Sequence, residues 1–410
     1  MQPDFSKLDD ALDDAGADGF LIYASSDDSN QRYLSGFDAP DPFMALYDGA
    51  VHLHVSPLEY GRAKKESGAA SLSRPSDFGY RELVEEHGRI GASHRVHARF
   101  LESHDVESVL VPMDFPVGKA DGLREQGIAV TADEDDILKD IRAVKLPQEI
   151  AHVRAAQKAN EQAMHTAEML IREATVEDGV LHYEGEPLTS ERVRQEIELT
   201  LLRHGCALDE TIVACGADAA DPHDRGSGPL LANESIIVDI FPRDKESKYF
   251  ADMTRTFVKG TPSDELQAWY DITDEALEAA LDAVKPGVTG EEIHNVVCDI
   301  YEEAGYPTLR SDETTEVGFI HSTGHGVGLD IHEWPALAPQ GYELEEGHII
   351  TVEPGLYDPE VGGVRIEDIV VVTEDGYENL TDYPKEFVLP RQSSWLRSRP
   401  TPAFRRLRTL

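Results

Sequence analysis

Cysteine is scarce in this chain. Cys206, Cys215 and Cys298 are an odd number and form no C-x-x-C pair, so buried, inert thiols are expected, not a disulfide framework or a thiolate zinc site. Lysine is scarce too: of 37 basic residues 12 are Lys and 25 are Arg, against 79 acidic residues, leaving a formal net charge of −42. No apolar run approaches the roughly 20 residues of a membrane-spanning helix. The amino-terminal MQPDFSKLDDALDD has no basic region leading into an apolar stretch. The expectations are no membrane association, no secretory signal and a cytoplasmic location. Nucleic acid is excluded as a partner, because binding a polyanion needs a basic stripe to displace its counterions. Acid excess with little lysine suggests a halophilic protein, working in concentrated salt where screening removes self-repulsion. Apolar residues at 40 % argue against a disordered acidic chain.

A length of 410 residues suits two domains, each with its own core. Up to about Val130 the pattern alternates helix and strand. Leu8, Leu12 and Ala15 space as one helical face, Gly19 to Tyr23 reads as a buried strand, and Leu46 to Val55 reads as a strand with an Asp48-Gly49 turn inside it. His52 and His54 share one strand face without an adjacent carboxylate, which reads as a surface or structural role.

A domain boundary is placed near residue 142, giving domains over 1–141 and 142–390 and a tail over 391–410. The tail holds six Arg and no acid and is read as disordered or docked on the surface. Beyond the boundary, Pro147 opens a long amphipathic helix, and further helices are predicted over about 190–203, 263–284 and 290–304. Thr289 and Glu292 form a capping box on the last of these. Strands are predicted at 211–215, 236–241, 249–258, 349–353 and 364–372. The carboxy-terminal half therefore reads as α+β, with helices covering a largely antiparallel curved sheet.

Asp239, Asp252, His325, Glu353 and Glu367 each interrupt an apolar or glycine-rich element, where an unpaired charge is costly. A hairpin through the short polar connection at 242–248 would join Asp239 to Asp252, and a longer hairpin would join Glu353 to Glu367. Four facing carboxylates cannot all ionise without cations. Oxygen ligands with one imidazole favour Mn²⁺, or Co²⁺ and Fe²⁺ of similar size. Two such ions about 3.5–4 Å apart can share carboxylates and activate a water. The glycines of HSTGHGVGLDIHE (321–333) lack a following βαβ unit, so they are read as letting the backbone approach a ligand, with His321 and His332 as substrate contacts. Arg365, two residues before Glu367, is expected to point toward the site and hold a substrate carboxylate or the Glu353/Glu367 pair.

The ordered set IIVDIFP, YFADMTRTF, HSTGHGVGLDIHE, ITVEPGLY and GVRIEDIVVV resembles the pita-bread (M24) metallopeptidases, a family of methionine aminopeptidases, Xaa-Pro aminopeptidases and prolidases. The resemblance covers roughly residues 142 to 390. SNQRYLSGF (29–37) looks like the creatinase-type amino-terminal domain of the proline-directed members, which methionine aminopeptidases typically lack. Phe241 stands where the family often has glycine.

The resemblance implies a pita-bread fold behind a smaller α/β domain and a cofactor of two divalent metal ions, Mn²⁺ first, with Zn²⁺ also admitted. Asp239 and Asp252 would bind one ion; Asp252, His325, Glu353 and Glu367 would complete the second and bridge both. Glu353 would shuttle a proton, His223 and His332 would match the family's catalytic histidines, and His321 and Arg365 would bind substrate. The implied substrate is a peptide or dipeptide with proline in second position, and relatives commonly form homodimers. A metal-free or non-peptidase relative on the same fold, either a creatinase-like hydrolase or a binding protein, is the alternative; relatives of the metal-free kind have lost ligands that are all present here. Dipeptidase and aminopeptidase stay equally open.

Overall fold

The computed structural model describes residues 3–390, and the basic tail expected at 391–410 lies outside them. The chain divides into two compact units, one ending at Val144 and the other beginning at Lys145. Among the described residues no helix is long and apolar enough to cross a membrane.

The first unit is built on a six-stranded sheet of β1 (Gly19–Ala24), β2 (Phe43–Tyr47), β3 (Val51–His54), β4 (Ser71–Ser73), β5 (Ser108–Pro112) and β6 (Ala129–Asp133). Their spatial order is β4-β3-β2-β1-β5-β6. β1, β2 and β3 pair antiparallel, and the outer pairings with β4, β5 and β6 are parallel. Burial on both faces explains why β1 reads as a continuous apolar run rather than an alternating one. Phe20 and Ile22 pack with Leu8, Leu12 and Ala45 on one side, and Leu21 packs with Met44, Phe100 and Val109 on the other. The Asp48-Gly49 turn joins β2 to β3 as expected. The reading of His52 needs correction, because Asp48, four residues earlier, comes within 2.9 Å of His52 Nε2. A turn brings back a carboxylate that adjacency in sequence does not show.

In the second unit, Pro147 opens a helix over Pro147–Glu173, and Glu149 accepts a hydrogen bond from the Leu146 N–H at 2.6 Å. Helices over Ser190–Arg203, Asp264–Ala283 and Gly290–Glu303 follow, the last carrying the Thr289/Glu292 capping box. The expected curved antiparallel sheet is divided into pieces. One is the three-stranded β7-β8-β9, from Thr211–Cys215, Ser235–Ile240 and Met253–Val258. Another has five strands: β10 (Gly324–Gly326), β11 (Glu333–Leu337), β12 (Ile349–Val352), β15 (Asp368–Thr373) and β16 (Gly376–Asn379), in the order β11-β10-β12-β15-β16. A third piece is the hairpin of β13 (Gly355–Asp358) and β14 (Gly362–Arg365), and two small sheets of short strands lie between residues 175 and 244.

The strands differ from prediction beside some of the charged residues. In the stretch predicted as one strand from Tyr249, Phe250 makes an isolated bridge with Arg243 and the continuous ladder starts at Met253, leaving Asp252 just outside β9, and the 364–372 stretch splits at Ile366-Glu367 into β14 and β15. Asp239, by contrast, stays inside the β8 ladder, facing Thr254.

In the glycine-rich run the close approaches seen are within the chain, to backbone at Gly324 and Gly326 and to the Glu333 side chain at Gly328. A Cβ on Gly324 would lie 2.0 Å from the Thr351 carbonyl oxygen, and one on Gly326 2.2 Å from that of Trp334. Glycine at these positions lets β10 wedge between β11 and β12 and holds His325 against both neighbours.

Candidate metal centre

Register sets the first pair of carboxylates. In the β8–β9 ladder Asp239 faces Thr254 and Ile240 faces Met253, so the chain reaches Asp252 one step past the last paired residue. The second pair follows the same logic. Val352 faces Asp368 at the end of the β12–β15 ladder, and Glu353 and Glu367 are the next residue on each side. His325 enters from the middle of β10.

Asp252, His325 and Glu367 each place one ligand atom within 4.8 Å of the other two. Asp252 Oδ2 lies 3.6 Å and Glu353 Oε1 3.4 Å from His325 Nε2. Asp239 opens on the same cavity, where its Oδ2 accepts from Arg365 Nη2 at 2.8 Å while its Oδ1 is buried with no hydrogen-bond partner. Hydroxyls orient the rest. Thr254 Oγ1 donates to Glu367 Oε2 at 2.9 Å, and Thr351 Oγ1 accepts from the His325 N–H at 3.0 Å and donates to Glu353 Oε1 at 3.3 Å.

The electrostatics are unresolved without further positive charge. Burial, then the charges of Asp239 and Glu353, pushes the Asp252 carboxyl well above its usual range. Burial and the charge of Asp252 do the same to Glu367. Burial raises Glu353 to about 8, although Arg365 pulls it the other way. Burial likewise opposes the charge on Arg365, but Tyr357, Asp239 and Glu353 outweigh it and hold the guanidinium firmly protonated. Burial, and then the neighbouring His332, lowers His325 to about 3, so its ring is neutral. The Gly326 carbonyl, 3.1 Å from His325 Nδ1, takes the ring proton there, and the Nε2 lone pair is left facing carboxylate oxygens.

A neutral nitrogen lone pair pointed at buried carboxylates, beside an unpartnered Asp239 Oδ1, is a donor set that a divalent cation satisfies. The oxygen-rich composition fits hard to borderline ions.

The cavity around this cluster, about 930 Å³, is also lined by His223, His321, His332, Phe241, Glu210 and Arg225. The His332 ring stands edge-on to His325 at 4.3 Å between centroids. His223 is exposed at the cavity. His321 faces in, but the Ser322 carbonyl at 2.7 Å and the Tyr357 hydroxyl at 2.9 Å occupy its two ring nitrogens. Arg365 lines the same cavity as Glu353 and Glu367, and its hydrogen bonds there go to Asp239, Tyr357 and Thr254.

Sequence reasoning missed Tyr357, fully buried between His321 and Arg365, although ITVEPGLY contains it. An aromatic hydroxyl two residues past a glycine has no signal of its own. It also missed the ion pair of Glu210 and Arg225 on the cavity wall.

Residues 151–374 match metallopeptidase family M24, and residues 5–144 match the Creatinase/Prolidase N-terminal domain. A curated relative, the Xaa-Pro dipeptidase of Pyrococcus furiosus, is 30 % identical over 88 % of this chain and 92 % of its own. Among solved structures, the prolidase from Pyrococcus horikoshii OT3 superposes with a TM-score of 0.75 at 28 % identity, covering 93 % of this chain and 98 % of its own. The Xaa-Pro dipeptidase from Bacillus anthracis gives 0.77 at 26 % identity over 94 % and 98 %. With the fold, the paired domains and more than half the chain in agreement, this protein belongs to metallopeptidase family M24, with a creatinase-type amino-terminal domain ahead of its pita-bread unit.

Proposed function

We propose that this metallopeptidase is an exopeptidase that hydrolyses the bond before proline at the amino terminus of a peptide or in a dipeptide. Asp239, Asp252, His325, Glu353 and Glu367 would hold two divalent ions, Mn²⁺ first among them. The observation that carries the ligand assignment is the clustering of Asp252, His325 and Glu367, with Glu353 3.4 Å from His325 and Asp239, its Oδ1 unpartnered, lining the same cavity. Bound divalent ions supply Lewis-acid polarisation of the scissile carbonyl and a water acidic enough to react near neutral pH.

The protein's own residues do the remaining work. Glu353 would take the proton of the attacking water and deliver it to the proline nitrogen, from a carboxylate whose Oε1 lies 3.4 Å from His325 Nε2 in the cluster. His332 beside His325 and His223 on the open side contact the peptide backbone. His321 and Arg365 form the substrate wall and act mainly by fixing Tyr357 and Asp239. An Xaa-Pro amide has no N–H to donate, so shape and the carbonyl oxygen must carry recognition. Similarity to Xaa-Pro dipeptidases over nearly the whole chain supports this choice of substrate.

The formal charge of −42 supports a protein working in concentrated salt, in the cytoplasm, and a homodimer completes the reading. The test offers an Xaa-Pro dipeptide and an Xaa-Pro-Xaa tripeptide in molar KCl with Mn²⁺. Cleavage of the dipeptide alone makes the enzyme a dipeptidase, cleavage of the tripeptide makes it an aminopeptidase, and cleavage of neither overturns the proposal.

A further inference from the structure

The amino-terminal unit holds a second group of metal-ligating side chains that the peptidase reading does not use. Among the described residues only two sets of three or more such groups bring their ligand atoms within 4.8 Å of one another: Asp252/His325/Glu367, and Asp48/His52/His104. The second set joins two separate pieces of chain, a hairpin and the end of a helix. Asp48 sits in the turn between β2 and β3, His52 lies on β3, and His104 lies in the turn after the helix Tyr80–Glu102. All three are half-buried.

The geometry is that of a prepared donor set. His52 Nε2 lies 2.9 Å from Asp48 Oδ1, while His52 Nδ1 lies 2.8 Å from Ser71 Oγ on β4. The serine is thus placed to accept the Nδ1 proton and leave Nε2 as the coordinating atom, the role outer partners commonly play for metal-bound histidine. The His104 ring stacks on that of His52 with centroids 3.9 Å apart and planes 35° apart, and its Nε2 is 3.4 Å from the same Ser71 Oγ. His54, two residues along the same strand face, repeats the contact with Ser73 at 3.0 Å, but its Nε2 is buried and unpartnered. Asp48 and His104 are what distinguish the His52 end of the strand.

We infer that Asp48, His52 and His104 form a binding site for a borderline divalent cation of the zinc type, separate from the peptidase centre. Two nitrogens and one carboxylate oxygen suit Zn²⁺, with a fourth position left for water. Ligand-to-metal distances near 2.0–2.2 Å require the three atoms to draw about 1 Å closer than the outer limit of the cluster, which side-chain rotation supplies. The same donors are poor for Mn²⁺, which prefers oxygen. A cation there would tie the β2–β3 hairpin to the end of a long helix and stabilise this unit by binding only its folded form.

The test compares the full chain with its His104→Ala variant by equilibrium dialysis against micromolar Zn²⁺ and elemental analysis. The wild-type chain should retain one more equivalent of Zn²⁺ than the variant, whatever number the peptidase centre holds, so this outcome does not depend on the proposed activity. Asp48→Asn keeps the shape of the turn and should weaken that equivalent at least tenfold. Zn²⁺ should also raise the unfolding temperature of a chain whose peptidase centre is disabled by Asp252→Asn and His325→Ala, and should not do so once His104→Ala is added. Equal Zn²⁺ content in wild type and His104→Ala, or unchanged affinity in Asp48→Asn, overturns the inference.

Discussion

Arg365 donates from Nη2 to Asp239 Oδ2 at 2.8 Å and leaves the other oxygen of Asp239 buried without a partner. One guanidinium thereby holds one oxygen of a carboxylate while leaving the other free of hydrogen bonds. Its remaining contacts, to Tyr357 and Thr254, hold the guanidinium in place. Arg365→Met should lower the affinity for the first-bound divalent ion by about 10–100-fold, as loss of an outer-shell partner commonly does. Isothermal titration of the chelator-stripped protein with Mn²⁺ measures this, and unchanged affinity would separate Arg365 from the metal centre.

The metal-free protein should lose stability as pH rises above neutrality. Burial raises Glu353 from 4.5 to about 8, and Asp252 and Glu367 are raised as well, so the folded state keeps protons that the unfolded chain has released. That stability is complete below the ordinary carboxylate range and disappears as pH passes through the folded-state values. Buried His321 and His325, lowered from 6.5 to about 3, act in the opposite direction, costing stability as pH falls below 6.5. Above about pH 7.5 histidines, ordinarily near 6.5, are almost wholly neutral in either state, and the carboxyls set the slope there. The unfolding temperature measured in chelator should therefore fall across that window, and saturating Mn²⁺ should flatten the fall by replacing protons with cations. A flat profile in chelator would mean that the carboxyls are ionised without metal.

Which features were legible in the sequence follows from the range over which each signal acts. Asp239 stands out because it interrupts an otherwise apolar strand, and the capping pair Thr289/Glu292 is visible because its members lie one helical turn apart. The breaks at Asp252 and Ile366-Glu367 were not legible, because at the second the hydrogen-bond partner changes rather than disappears: the Glu367 N–H donates to the Thr254 carbonyl at 3.1 Å. His104 lies 52 positions from its stacking partner His52, and only the folded sheet and helix bring the two rings together. Glycines in the 321–333 stretch signalled close approach correctly but not what approaches, since a carbonyl of the same chain and a ligand make the same demand.

Tyr357 links two parts of the cavity wall. It is fully buried, accepts from Arg365 Nη1 at 2.9 Å, and has its hydroxyl 2.9 Å from His321 Nε2. Tyr357→Phe leaves both partners without that oxygen in a site closed to water, at a cost of about 1–3 kcal/mol for each group left unpaired. Denaturant unfolding should register the loss. Activity should fall too, because Arg365 and with it Asp239 are less firmly held. Full retention of stability would mean that a water takes the place of the hydroxyl.

Glu353→Gln separates holding a metal from moving a proton. The amide keeps the shape of the side chain and one coordinating oxygen, and the Thr351 hydroxyl 3.3 Å from Oε1 can still orient it. An amide has no basic oxygen to take a proton from water. Loss of a positioned general base typically costs about 10²–10⁴-fold in rate. Turnover of an Xaa-Pro dipeptide should fall by that order, with KM nearly unchanged because the substitution leaves His223 and His332, the proposed substrate contacts on the cavity wall, in place. Metal content by elemental analysis should stay close to that of the wild-type chain. A variant stripped of metal and activity together would make Glu353 a ligand first, whereas undiminished turnover would move the proton-transfer role to one of the two histidines lining the same cavity.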